Sequence, residues 1–158
     1  MKKGTVGVLA TLLGAVAGAA ASGVVVGKNV DKKSQKVDKF KSYYNMLNQW
    51  LILKQEGKNL EQFFIDNDYN SIAIYGMGEM GNRLYEELKN TSIEVKYAID
   101  KNAESTYSEL KVLDVEDDLT PVDAIIVSAI FAFDEIEEKL TEVVDYPVVS
   151  LEDVVYEI

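Results

Sequence analysis

The sequence predicts an α/β fold built on a parallel sheet, and three observations predict it. Residues 71–81, SIAIYGMGEMG, carry a short apolar strand straight into Gly76-x-Gly78-x-x-Gly81, and the helical pattern NRLYEEL follows at once. A second apolar run, IEVKYAI, ends in Asp100, nineteen residues past Gly81. Apolar and amphipathic stretches then keep alternating to the end of the chain, which is the signature of βαβ units. A glycine-rich turn between a strand and a helix, with an acid about 20 residues further on, is the dinucleotide-binding arrangement.

The elements follow in order. Between Lys3 and Lys28 lie 24 residues without a charge. As a helix rising ~1.5 Å per residue they reach roughly 36 Å, enough for a hydrocarbon core of about 30 Å. Residues 1–30 are therefore expected to form a transmembrane anchor, with residues 4–27 in the membrane. Six lysines from Lys28 to Lys41 follow this stretch, against Lys2, Lys3 and the amino terminus before it. That excess keeps the following side in the cytoplasm. The expectation is a single-pass protein of the cell membrane with its C-terminal domain on the cytoplasmic side. A secretory signal peptide cleaved near Ala19-Ala20-Ala21 is the competing reading. Gly14, Gly18 and Ser22 recur every four residues, a spacing that lets membrane helices approach closely.

Residues 31–58 read as a basic linker helix, helical from about Ser34 to Lys54. Val37, Phe40, Tyr44, Leu47 and Leu51 follow a 3-4-3-4 spacing, with Trp50 close to that stripe. This apolar side is expected to pack on the domain. Pairing of helix 34–54 with a second copy or a partner protein is the alternative, and two heptads are too few to decide for a coiled coil. The lysine-rich start suits anionic headgroups. Gly57 ends the helix, and LEQFFIDN makes a shorter one.

Residues 59–158 form the expected nucleotide-binding domain. Strands are expected at Ile72–Tyr75, Glu94–Ile99, near Leu110–Leu113, at Asp123–Ser128 and at Pro147–Ser150. Helices are expected at Glu79–Lys89 and Phe133–Val143, with a last turn capped by Ser150. The run DAIIVS is apolar on both faces and so belongs in the middle of the sheet. Right-handed crossovers then give a Rossmann-like sheet of about five strands in order 3-2-1-4-5.

Composition narrows the chemistry. Residues 1–41 hold eight lysines against Asp31 and Asp38, a net of +6, whereas the remainder holds eight basic and twenty-five acidic side chains, a net of −17. Such an acidic body repels a phosphate backbone, so nucleic acid is not an expected partner. The chain has no cysteine and no histidine. Disulfides, thiolate metal sites and the commonest general base are thereby excluded, and no metal site is expected.

The order 3-2-1-4-5 has its switch point between the first and fourth strands, and a ligand belongs over the carboxyl ends there. The candidate binding residues are Gly76, Met77, Gly78, Glu79, Met80 and Gly81, then Asp100, Lys101 and Asn102, and Ser128. Gly76 makes the tight turn, Gly78 admits phosphates, and Gly81 lets the helix pack on the sheet. Amides at the helix start supply the anion site. Asp100, rather than a basic residue, favours an unphosphorylated ribose, hence NAD or a nucleotide-sugar over NADP. Two features count against tight binding: Tyr85 stands where a small residue usually faces the sheet, and Glu79 sits inside the loop. Tyr85 and Lys89 imitate a dehydrogenase pair but lie on the wrong helix, and the acidic run from Asp114 to Asp118 reads as a solvated loop rather than a calcium loop.

The stretches IAIYGMGEMG, VKYAIDKN and VDAIIVSAIFAFDEIEEKL carry a family resemblance. Over about residues 60–157 the chain resembles the small Rossmann-like module at the C-terminus of nucleotide-sugar C-methyltransferases and at the N-terminus of bacterial sugar O-acyltransferases. That resemblance implies nucleotide or nucleotide-sugar binding in bacterial polysaccharide metabolism, without the catalytic residues, which those relatives keep in another domain. The expected function is thus a membrane-anchored binding module with a small-molecule nucleotide ligand and no identified catalytic residue. A ligand-free scaffold, and an NAD-dependent or sugar-modifying enzyme completed by a partner, are the alternatives.

Overall fold

The structure, a computed structural model, describes residues 34–158. The expected anchor over residues 4–27 lies outside these, and among the described residues no helix is long and apolar enough to cross a membrane. The order of elements is α1 (34–55), α2 (Glu61–Asp66), β1 (Ser71–Tyr75), α3 (Glu79–Leu88), β2 (Glu94–Ile99), β3 (Val112–Leu113), β4 (Ala124–Val127), α4 (Phe133–Thr141), β5 (Val148–Ser150) and α5 (Leu151–Tyr156). The five strands form one parallel sheet in the order β3-β2-β1-β4-β5. This is the expected order. β1 and β4 are its centre, and every residue in both is buried, as continuous apolar runs require when both faces are covered.

Alternation along the strands sorts the core. Ile72, Ile74, Ala124 and Ile126 face one side and pack with Leu84 and Leu88 of α3, Val154 and Val155 of α5, and Phe63 and Phe64 of α2. Ala73, Tyr75, Ile125 and Val127 face the other side and pack with Ile136 and Leu140 of α4. Helices on both faces leave the carboxyl ends of β1 and β4 meeting the starts of α3 and α4.

One compact unit spans Ser42–Ile158 and includes the later turns of α1. The face that α1 buries differs from the expected one. Met46, Trp50 and Leu53 are core residues, with Tyr43 packed against them. The stripe expected to pack is instead exposed: Val37 63%, Phe40 72%, Tyr44 70%, Leu47 39% and Leu51 55%. Positions 43, 46, 50 and 53 are themselves spaced 3-4-3, so the helix carries two apolar stripes and periodicity alone could not rank them.

Glu87 supplies the physical reason for the choice. Its side chain is 8% exposed and receives Lys54 Nζ at 2.6 Å. The Trp50 indole donates to it at 2.6 Å and the Leu60 amide at 2.8 Å. A buried carboxylate is tolerated only with such partners, and only the Trp50 face delivers them. Gly57, at φ 75°, ends α1. The Lys58 amide then closes back on Leu53 O at 2.9 Å, a Schellman closure. Asp68 takes the same left-handed position after α2, at φ 58°, with the Tyr69 amide on Phe64 O at 2.8 Å.

Candidate functional site

The glycine loop connects β1 to α3 at the carboxyl edge of the sheet. Gly76 adopts φ 90°, a conformation that favours glycine. Its amide donates to Ile99 O at 2.8 Å, and its carbonyl accepts from Ser128 Oγ at 2.6 Å. The loop is thus stitched to the ends of β2 and β4. Ser128, expected to face a ligand, is buried and spends its hydroxyl proton on this latch.

Met77 turns its side chain into the core, 5% exposed, and leaves only its backbone at the surface. Its amide donates to Asp100 Oδ2 at 2.9 Å. Asp100 Oδ1 accepts from the Asn102 amide, also at 2.9 Å. Asp100 therefore points into the glycine loop, as its position after β2 implies, and caps its own turn with the other oxygen. Asn102 contributes through its backbone, and Lys101 is exposed beside it.

Gly78 precedes α3 with an extended backbone and offers no side-chain cap. A Cβ built there meets nothing within 4 Å. At Gly81 the same atom would stand 2.0 Å from Gly76 O, so glycine alone permits the seating of α3 on the loop. Leu84 and Leu88 complete that contact, and Tyr85 leans to the edge of the helix, where its hydroxyl meets Glu109 at 3.3 Å. Tyr85 thus leaves the sheet contact undisturbed.

The first amides of a helix have no partner inside it. Among the described residues, none accepts a hydrogen bond from the amides of Gly78, Glu79, Met80 or Gly81. Glu79 is exposed in this first turn. Asn82 was not singled out from sequence. Its Nδ2 donates to Met77 O at 2.9 Å and to Gly78 O at 3.0 Å, so it fixes the loop from below. An amide side chain one residue past the last glycine was the only signal.

Charge around the loop is mixed but mostly negative. Burial raises the Tyr75 hydroxyl's pKa; Lys139 opposes this, while Asp100, Asp114 and Glu135 add to it. Lys139 pairs with Glu135 at 2.6 Å and, with Lys101, holds that carboxyl below its usual range. Free amides can donate to an anionic or carbonyl oxygen, and the fixed Asp100 carboxylate beside them can accept from a neighbouring hydroxyl. The Tyr85–Lys89 pair lies away from this site, lining a hollow at the amino end of β2. The Asp114 to Asp118 run closes on itself, with the Asp114 amide on Asp117 Oδ2 at 2.8 Å. No cluster among the described residues has the makings of a metal site.

No curated protein matches the chain, and neither does any solved structure. A family model described as C2185-like, N-terminal, matches residues 68–148, from the turn before β1 to the first residue of β5. The glycine loop, Asp100 and Ser128 all lie within that match, and the chain belongs to the C2185-like N-terminal family.

Proposed function

We propose that the body is a Rossmann-like module that binds a nucleotide or nucleotide-sugar, held at the cytoplasmic face of the membrane by residues 4–27. The observation that carries this reading is the open space over Gly78, next to helix amides without acceptors and within reach of Asp100. A phosphate or carbonyl oxygen suits the amides. The remaining lone pairs of Asp100 suit ribose or sugar hydroxyls and repel a 2′-phosphate, so NAD or a nucleotide-sugar fits better than NADP. Glu79 weakens any pyrophosphate contact by a few tenths to ~1 kcal/mol, which favours modest affinity and sensing or presentation over tight storage. The resemblance to nucleotide-sugar modules, and the uncharged stretch followed by lysines, supply the bacterial envelope context.

Thermal unfolding of the full chain in nonionic detergent, with NAD, UDP-sugars and CDP-linked compounds, tests the reading. A ligand at 100 times its dissociation constant adds ~2.7 kcal/mol. Gly78→Val should abolish the shift while the unliganded protein stays folded, because nothing in the fold touches that Cβ position. A shift that survives Gly78→Val refutes binding at this loop. A second reading, a scaffold without ligand, draws on Asp100 already occupying the Met77 amide; silence across the panel supports it.

A further inference from the structure

We propose that the sheet edge beside α4 is a sugar subsite, in which the Tyr75 hydroxyl reads an uncharged, hydroxyl-rich ring joined to the nucleotide. This rests on the reading of the glycine loop as a nucleotide site and extends it to the far end of the ligand. The last row of the sheet on the α4 face is Leu113, Ile99, Tyr75 and Val127, in register across β3, β2, β1 and β4. Three of the four are aliphatic. Tyr75 is 7% exposed, so its ring fills the row as another apolar side chain would. Its hydroxyl is the exception, with no hydrogen-bond partner among the described residues. Since none of those residues leaves a buried side-chain polar atom unpaired, the hydroxyl is the tip of Tyr75 that reaches solvent. Burial of the ring keeps it protonated and able to donate.

The groups around that tip define what it can hold. Asp114, Asp100 and Gly76 directly follow this row, so they leave the strands at the same rim. Asp100 joins rim to loop: one oxygen holds the Met77 amide, and its charge acts on Tyr75. From α4 come Lys139 and Glu135, paired at 2.6 Å and both acting on Tyr75. Lys101 acts on Glu135 in turn. Two ammonium groups and three carboxylates thus gather round one neutral hydroxyl. Ring hydroxyls donate and accept at once, so a sugar satisfies such a mixed rim. A carboxylate on that sugar would meet the excess of acids and be repelled.

Calorimetric titration of the full chain in nonionic detergent, with UDP, UDP-glucose, UDP-glucuronate and NAD, tests the subsite. UDP-glucose should bind about tenfold tighter than UDP, and tighter than UDP-glucuronate. Tyr75→Phe keeps the packed ring and should bring UDP-glucose to within about twofold of UDP, with the unfolding midpoint unmoved. A UDP-glucose to UDP ratio that Tyr75→Phe leaves unchanged overturns the subsite and leaves the glycine-loop reading standing. UDP-glucuronate binding tighter than UDP-glucose overturns the choice of an uncharged ring. NAD binding that Gly78→Val abolishes, with all three uridine compounds silent, overturns the sugar subsite alone. Silence from all four overturns both readings.

Discussion

Alanine at Gly81 should unseat α3 from the sheet, whereas alanine at Gly78 should leave the fold intact. The added Cβ at Gly81 would lie 2.0 Å from Gly76 O, 3.1 Å from Gly76 C and 3.4 Å from Ile74 Cγ2. The first two are backbone atoms. Gly76 cannot yield, because its amide is held by Ile99 O and its carbonyl by Ser128 Oγ. Relief therefore needs a movement of about 1 Å between α3 and the loop, which loosens the buried Leu84 and Leu88. Overpacking of this kind costs typically ~1–3 kcal/mol and here falls at or above the upper end. Alanine's better helix propensity returns about 1 kcal/mol. The net loss is about 2–3 kcal/mol, roughly 8–12 °C in unfolding midpoint for a domain of this size. At Gly78 nothing lies within 4 Å of the new atom and φ is −73°, so a weaker N-cap and a stiffer unfolded chain nearly cancel, within about 0.5 kcal/mol. Thermal and urea unfolding of the full chain, followed by circular dichroism, measure both. Equal midpoints for the two variants would refute the separation into a packing glycine and a free one.

Three further outcomes follow from the same structure. Glu87→Ala strands the Trp50 indole, the Leu60 amide and Lys54, and should cost about 3 kcal/mol in urea unfolding; a loss under about 1 kcal/mol would contradict its role as the tie between α1 and α3. Asp123 accepts from the amides of Ser71 and Asn70 and from the Ser71 hydroxyl, and these bonds, the Ser71 amide's above all, hold its carboxyl below the usual carboxylate range. Because the unfolded chain takes up that proton first, the stabilisation is complete above the unfolded pKa and is lost as pH falls through the depressed folded one. Asp123→Asn should therefore show a shallower acid-side decline in urea midpoint than the parent, and identical slopes would contradict this. Asp68→Gly relieves a side chain from φ 58° at the end of α2 and should raise stability by about 0.5–1 kcal/mol; a lower melting temperature would count against the Schellman reading.

The centre of the fold was legible because its signals are local and agree with one another. β1 and β4 are uninterrupted apolar runs, Gly76 and Gly81 sit where a left-handed turn and a close helix demand them, and handedness then leaves few strand orders. Ser150 was readable as a cap, and its Oγ does accept from the Glu152 amide at 3.2 Å. The face of α1 was not legible, since two stripes of similar spacing compete and the deciding carboxylate, Glu87, is more than thirty residues away. Asp100 was placed correctly at the end of β2, but that one oxygen would take the Met77 amide is a tertiary fact with no pattern behind it. The same holds for Ser128, whose buried latch on Gly76 O looks in sequence like any hydroxyl after a strand.

The brevity of the outermost strands has its own consequence. β3 contributes two residues and β5 three. A foreign strand laid along either rim would gain only a couple of ladder bonds before running into turn, too little to offset ordering a new segment. Crowding copies together should therefore not zip neighbouring sheets along these two rims.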